Sequence, residues 1–215
     1  MEVSTLKNKG IFFCLPLILM LSCPLIAPLQ SAYAWSRNTR STRTNTTQAK
    51  KSTSRSSSSK EHAAKLNAIS STFRFYNKNL SKSTTDAYAK FVLEAASRYK
   101  IDPGLICGLI IKESTVNANA RSRSGALGLM QILWRVHHAA IKGQFPHITT
   151  QRAIMEPRNN IIVGTWLYAK YLKNARGNER AALTSYLGNR NSGRYIKQIY
   201  SFRNTYRSYL NSKRG

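Results

Sequence analysis

The chain has 215 residues, and its 34 Lys and Arg face only 8 Asp and Glu, a formal net charge of +26. That length suits one globular domain with extensions, and that charge calls for an anionic partner or surroundings. Of the three cysteines, Cys14 and Cys23 fall in an N-terminal apolar stretch, so a chain cleaved after it keeps only Cys107. An internal disulfide and a Cys-based zinc site are then both excluded.

Residues 1–34 read as an export signal. Lys7 and Lys9 precede an apolar run from Ile11, and Ser31-Ala32-Tyr33-Ala34 offers the small-x-small pattern of a cleavage site. A membrane anchor fits less well, because Pro16, Pro24 and Pro28 interrupt the run. Lipid attachment at Cys23 is the other rival, with Met20 and Pro24 matching a lipoprotein box poorly. The mature protein is expected outside the cytoplasm, in the periplasm or cell envelope, or secreted.

Residues 35–84 read as a basic, Ser/Thr-rich linker, mostly disordered. From Trp35 to Lys60 the stretch contains no acid and little that can be buried, while Arg37, Arg40, Arg43, Lys50, Lys51, Arg55 and Lys60 would attract a polyanion. Anionic envelope polymers, lipid and nucleic acid are the candidate partners.

The folded domain is expected over 85–215, all-α, without convincing strands. A first helix starts near Thr84 or Thr85 and buries Tyr88, Phe91, Val92, Ala95 and Tyr99. A second opens at Asp102-Pro103, a cap followed by the helix position that suits proline, and ends soon after Glu113. A third helical region covers Gly125 to about Lys142, with a break near Trp134. A fourth begins at Glu156-Pro157, a fifth at Asn178-Glu179 with its stop near Gly188, and a last at Gly193. Tyr195, Ile199, Phe202, Tyr206 and Tyr209 on the last helix read as a core stripe.

Glu113 breaks the pattern. At about 100° per residue it lies among Leu105, Ile106, Leu109 and Ile110, in the middle of the apolar face of the second helix. A carboxylate there must be paired, hydrogen-bonded or raised in pKa by desolvation. Asp86, Asp102, Glu156 and Glu179 sit at helix starts, where caps and dipoles favour acids; Glu113 has no such role. Spacing alone leaves two readings open: an ion pair at a fraying helix end, or a functional acid.

The residues C-terminal to Glu113 bear on that choice. Glu113-Ser114, Ser122 ahead of Gly125-Ala126, and Gly128-Leu129-Met130-Gln131 together resemble the signature of soluble lytic transglycosylase (SLT) domains, relatives of goose-type lysozyme. The resemblance continues through Asn160-x-x-x-Gly164, Ser185-Tyr186 and Tyr195-Ile196-x-x-Ile199. It implies an all-α, lysozyme-like fold with a saccharide groove and a peptidoglycan substrate. By resemblance Glu113 is the catalytic acid and base, and Ser122, Met130, Gln131 and Tyr186 line the groove. Each of the four has a structural alternative: a turn for Ser122, core for Met130, a cap for Gln131, and packing with its hydroxyl in water for Tyr186.

The chain departs from the family in two places. It reads Ser185-Tyr186-Leu187-Gly188-Asn189 where relatives have Ala-Tyr-Asn and a Gly-rich loop. After Gly-Leu-Met-Gln-Ile it continues Leu133-Trp134-Arg135-Val136-His137-His138 instead of Met-Pro. Ordinary glycosidases need two carboxyl groups roughly 5–10 Å apart. The resemblance implies that one suffices, because the C6 hydroxyl of N-acetylmuramic acid attacks its own anomeric carbon and closes a 1,6-anhydro ring. No cofactor or metal is expected: His137 and His138 are adjacent, point about 100° apart on a helix and read as surface residues. Trp134 and Trp166 could stack on sugars or fill core. Two further readings stand beside this one, a non-catalytic peptidoglycan-binding module and a hydrolytic muramidase. Nucleic-acid binding would explain neither the export signal nor Gly-Leu-Met-Gln.

Overall fold

The computed structural model describes residues 45–188 and 192–212, with side chains from residue 57 onward. Residues 1–34, expected to be an export signal, with Cys14 and Cys23, and Arg37, Arg40 and Arg43 of the basic stretch, lie outside the described residues. Among those residues, eight helices and one short hairpin run in the order α1 (Asn45–Tyr76), α2 (Lys82–Tyr99), α3 (Pro103–Ser114), β1 (Ala126–Leu127), β2 (Ile132–Leu133), α4 (Trp134–Gln144), α5 (Gln151–Met155), α6 (Pro157–Asn174), α7 (Glu179–Tyr186) and α8 (Gly193–Asn211). The fold is helical, as the patterning predicts.

The helix starts follow their capping chemistry. Ser81 accepts a hydrogen bond from Thr84 N, Asp102 from Gly104 N at 2.8 Å, Thr150 from Ala153 N and Asn178 from Ala181 N. Pro103 and Pro157 occupy first-turn positions where a missing N–H costs nothing.

α3 is the centre of the molecule. Every residue from Gly104 to Ile111 is buried, so this helix is apolar all round and has neighbours on every side. It packs against α8, α1 and α2, while α6 covers α2 and carries α5 and α7. Gly104 and Gly108 face α8: a β-carbon at Gly104 would stand 2.6 Å from Tyr206 Cδ1, and one at Gly108 would stand 2.7 Å from the Ile199 carbonyl oxygen. Two missing side chains thus let α8 lie directly on the α3 backbone.

Two sequence expectations need correction. The stretch 45–76, which composition reads as linker, is helical, and its second half belongs to the core. Ala68, Ile69 and Phe73 are wholly or almost wholly buried, with Leu66 and Tyr76 packed beside them. Leu66, Ile69, Phe73 and Tyr76 recur at spacings of three and four, a helical stripe that the surrounding Ser and Lys composition obscures. Ser70 ties this helix to α2 through Thr85 Oγ1 at 2.8 Å and Asp86 Oδ1 at 2.6 Å, and Tyr76 meets α8 through Thr205 Oγ1 at 2.9 Å.

The second correction concerns 125–133, where the patterning predicts the start of a third helix. The chain there forms a turn and an antiparallel hairpin, with Ala126 opposite Leu133 and Leu127 opposite Ile132. α4 starts only at Trp134, the position of the expected break. Gly128 explains why: its φ is +73°, and a β-carbon would meet the Asn160 amide at 2.4 Å, so the chain turns there against α6.

Candidate active site

Glu113 lies in the last turn of α3. The helix closes at once behind it, because Thr115 adopts the left-handed conformation (φ 53°) and donates its N–H to Ile111 O at 2.9 Å. Val116 comes next at φ 60°. Two successive β-branched residues in this region are costly, about 1–3 kcal/mol each, and such strain gathers where a fold needs a particular backbone path. Here it ends the apolar helix abruptly and leaves Glu113 at its open end.

The Glu113 side chain is mostly shielded. Burial raises its pKa above the ordinary carboxyl value; the hydrogen bond from Tyr195, and then the Lys112 ammonium, oppose that rise. Tyr195 Oη donates to Glu113 Oε1 in a short contact. Burial holds the Tyr195 phenol far above its usual range, and the adjacent Glu113 adds to this, so Tyr195 stays a donor. Lys112 Nζ lies 5.7 Å from the centroid of the Tyr195 ring.

Most of the other acids differ from it in their partners. Glu61, Asp86, Glu94, Asp102 and Glu179 each form an ion pair with a Lys or Arg, whereas Glu113 makes no salt bridge among the described residues. An arginine-neutralised carboxylate at a helix end is not what the structure contains there. The carboxyl can hold a proton, and its tyrosine partner can stabilise the anion left when that proton departs.

Tyr186 joins this pair from α7. Its hydroxyl donates to Met130 O at 2.8 Å rather than resting in water, and its phenol is pushed well upward by burial and then by Glu113. Tyr168 and Tyr171 meet its ring edge-on, each at 6.2 Å between centroids. Gln131, at φ 47°, spends its amide inside the hairpin, donating to Ala120 O at 3.2 Å and Gly128 O at 3.0 Å. Gln131 and Tyr186 share a narrow cleft with Leu133, His137, Leu167 and Tyr171.

Met130 and Ser122 sit otherwise. Met130 is fully buried, its sulfur against Gly164 and 3.8 Å from Thr165 Oγ1, so its side chain is core and its carbonyl is the part that serves Tyr186. The Ser122 hydroxyl accepts from Ala126 N at 3.0 Å and contacts Ser124 Oγ at 2.9 Å, closing the turn before the hairpin. The structural alternatives describe both residues. Asn160 secures the whole arrangement from α6: it is fully buried, accepts from Met130 N at 2.7 Å, and donates to Leu127 O and Ile154 O, both at 3.0 Å.

Sequence reasoning missed two residues. Tyr195 reads as core because it shares a stripe with Ile199 and Tyr206, and it is buried; only the position of its hydroxyl gives it a second role. His137 reads as a surface residue, yet it lines the cleft beside Tyr186, with its pKa lowered by burial and by Lys170. His138 is exposed and leans on Trp134 at 6.1 Å. Trp166 packs edge-on against Phe145 at 5.4 Å.

A model of the Transglycosylase SLT domain matches residues 90–207. Membrane-bound lytic murein transglycosylase C of Yersinia pestis (strain Pestoides F) is 33% identical over 129 residues, which cover 54% of this chain and 35% of that protein. The protein of the same description from Yersinia pseudotuberculosis serotype O:1b (strain IP 31758) matches with the same identity and coverage. The similarity thus spans about a third of the length of these relatives. With the family model covering over half the chain, from within α2 to near the end of α8, this protein belongs to the Transglycosylase SLT domain family.

Proposed function

We propose that this protein is a peptidoglycan lytic transglycosylase acting at the cell envelope. It cleaves the β-1,4 bond between N-acetylmuramic acid and N-acetylglucosamine and leaves a 1,6-anhydro end. Glu113 first gives its proton to the glycosidic oxygen as the bond from that oxygen to the muramic C1 breaks. The resulting carboxylate then takes the proton of the C6 hydroxyl, whose oxygen bonds to C1 and closes the ring. Glu113 ends protonated again, and water is not consumed.

The single observation that carries this reading is the state of Glu113. It is desolvated, has no cationic ion-pair partner among the described residues, and accepts from Tyr195. Burial favours the protonated carboxyl that the first step needs. The Tyr195 hydroxyl stabilises the anion between the two steps and holds it in place for the second. The narrow cleft between Gln131 and Tyr186 adds the rings of Tyr171, Tyr186 and His137 as stacking surfaces for a sugar. The export signal expected over residues 1–34, the basic stretch after it, and the relatives' description as membrane-bound murein enzymes support an envelope location, with anionic wall polymer or lipid attracting the basic stretch.

Purified sacculi incubated with the protein test the reading by mass spectrometry of the soluble products. Muropeptides ending in 1,6-anhydromuramic acid are expected. Reducing muramic acid ends would assign hydrolysis instead, and binding without any soluble product would leave a non-catalytic module.

A further inference from the structure

The cleft beside Tyr186 has most of its hydrogen-bond donors committed to the protein. The Gln131 amide nitrogen donates to Ala120 O and Gly128 O, and the Tyr186 hydroxyl donates to Met130 O. Ile132, Leu133 and Leu167 line it with carbon alone. His137 differs, because no hydrogen bond to its ring forms among the described residues. From Arg135 to Ala140 on α4 it is the one residue partly covered, the others being exposed. Ile141, four positions on, is buried, so the two share the inner face of α4. The cleft holds about 40 Å³, far below the roughly 300 Å³ of a site that encloses a whole ligand, and suits one substituent of a sugar.

The surroundings favour a neutral imidazole. Burial disfavours the imidazolium, and the Lys170 ammonium adds to this. Lys170 is itself held, with Nζ 4.7 Å from the centroid of the Trp166 ring one turn earlier on α6. The other groups facing the cleft are Tyr171 from α6, Tyr186 from α7 and Gln131 from the hairpin; among the described residues no carboxylate lines it. On α4 itself Arg135 and His138 are exposed, and His138 leans on Trp134. A neutral ring offers one N–H donor and one bare nitrogen acceptor, which suits an uncharged hydroxyl or amide group. The imidazolium has no acceptor, and a sugar covering it would bury a charge beside Lys170 with no counter-ion.

We propose that His137 is a specificity-determining contact of the cleft: its neutral ring binds one uncharged hydroxyl or amide substituent of the glycan, and its protonation in mild acid weakens that binding. Lys170, pinned on Trp166, acts through His137 as a positioning residue and extends binding to lower pH. This rests on the saccharide reading above and not on Glu113 as proton carrier.

Calorimetric titration of the full chain carrying Glu113→Gln with chitopentaose, an uncharged oligosaccharide of N-acetylglucosamine, separates binding from turnover and from any titration at position 113. Between about pH 7.5 and about pH 5 the affinity is expected to fall at least about threefold, with a limiting slope of about tenfold per pH unit for one proton. Adding His137→Gln should leave weaker binding that no longer depends on pH. Adding Lys170→Met should move the fall to higher pH, and adding His138→Gln should change nothing. Melting curves at both pH values check that each variant is folded. NMR reads the His137 ring without altering it, and saturating chitopentaose should move its titration to lower pH. Affinity that does not change with pH, a pH dependence that survives His137→Gln, or a ring titration that chitopentaose leaves in place overturns the proposal while the saccharide reading stands. Binding absent at both pH values would overturn the two together.

Discussion

Gly108 of α3 touches the backbone of Ile199 on α8 so closely that a single added methyl would lie 2.7 Å from the Ile199 carbonyl oxygen. Backbone cannot move aside as a flexible side chain can, so the helix spacing at this point depends on the missing β-carbon. The same pair of helices carries Glu113 and Tyr195, whose hydrogen bond lies farther along toward the open end of α3.

Gly108→Ala should therefore act at two levels. Forcing α8 outward costs about 1–3 kcal/mol of stability, measured by denaturant unfolding. It also draws Tyr195 away from Glu113, so turnover on sacculi should fall by more than the loss of folded protein explains. Full activity in a destabilised Gly108→Ala protein would separate helix spacing from the chemistry.

Glu113→Gln removes the carboxyl proposed to carry the proton and keeps the shape. Turnover should fall by at least about 10²–10⁴-fold, the usual worth of a positioned acid or base, as followed by release of soluble muropeptides. Its effect on stability depends on pH. The folded protein holds this carboxyl at a raised pKa, so the wild type's stabilisation from it is complete below the ordinary carboxyl value of 4.5 and is lost as pH rises through the higher folded value. The Gln variant does not titrate there. Its stability relative to wild type should thus increase as pH rises from 4.5 toward neutrality, a trend that paired melting curves would detect; a constant difference would mean that Glu113 is not desolvated.

Tyr195→Phe deletes the hydroxyl and retains the ring. The donated hydrogen bond favours the ionised carboxyl, so its loss should move the pKa of Glu113 further upward, with each unit corresponding to about 1.4 kcal/mol. The alkaline limb of the pH–rate profile, which reports loss of the acid form, should shift to higher pH while the maximum rate drops about tenfold or more. A merely structural tyrosine would change stability and leave the limb in place.

Asn160→Ala should cost at least about 2 kcal/mol, since Met130 N, Leu127 O and Ile154 O would lose their partner inside the protein. With the hairpin loosened, the Met130 carbonyl no longer anchors Tyr186, and substrate affinity should fall as well. Comparing KM and kcat with unfolding data checks both effects.

Thr115→Gly should raise stability by about 0.5–1 kcal/mol, because Thr115 is exposed and sits at φ 53° as the C-terminal cap of α3, where glycine carries no β-carbon penalty. Thermal unfolding gives the sign directly.

Much of this protein is legible from short range. Asp102-Pro103 and Asn178-Glu179 begin helices through side-chain caps, Glu156-Pro157 begins one through its first-turn proline, and the repeat of apolar residues marks α2, α3, α6 and α8. The sequence alone also singles out Glu113, because a carboxylate on an apolar face conflicts with its neighbours whatever the fold. It does not reveal the hairpin at 126–133, whose turn depends on Gly128 meeting Asn160 from α6, thirty-two positions later. Nor does it reveal that Ala68, Ile69 and Phe73 are core: a stripe in Ser-rich surroundings gains its burial only when α2 and α8 cover it.

The tertiary structure alone decides the environment of Glu113. Periodicity can say that a side chain points inward, but not what it meets there. Tyr195 belongs to the same kind of stripe as Ile199 and Tyr206, and only the packing of α8 along two glycines of α3 brings its hydroxyl to a carboxyl 82 residues away. Local sequence sets which face of each helix is apolar; the identity of contacts across the core depends on helix spacing and register, which many distant residues determine together.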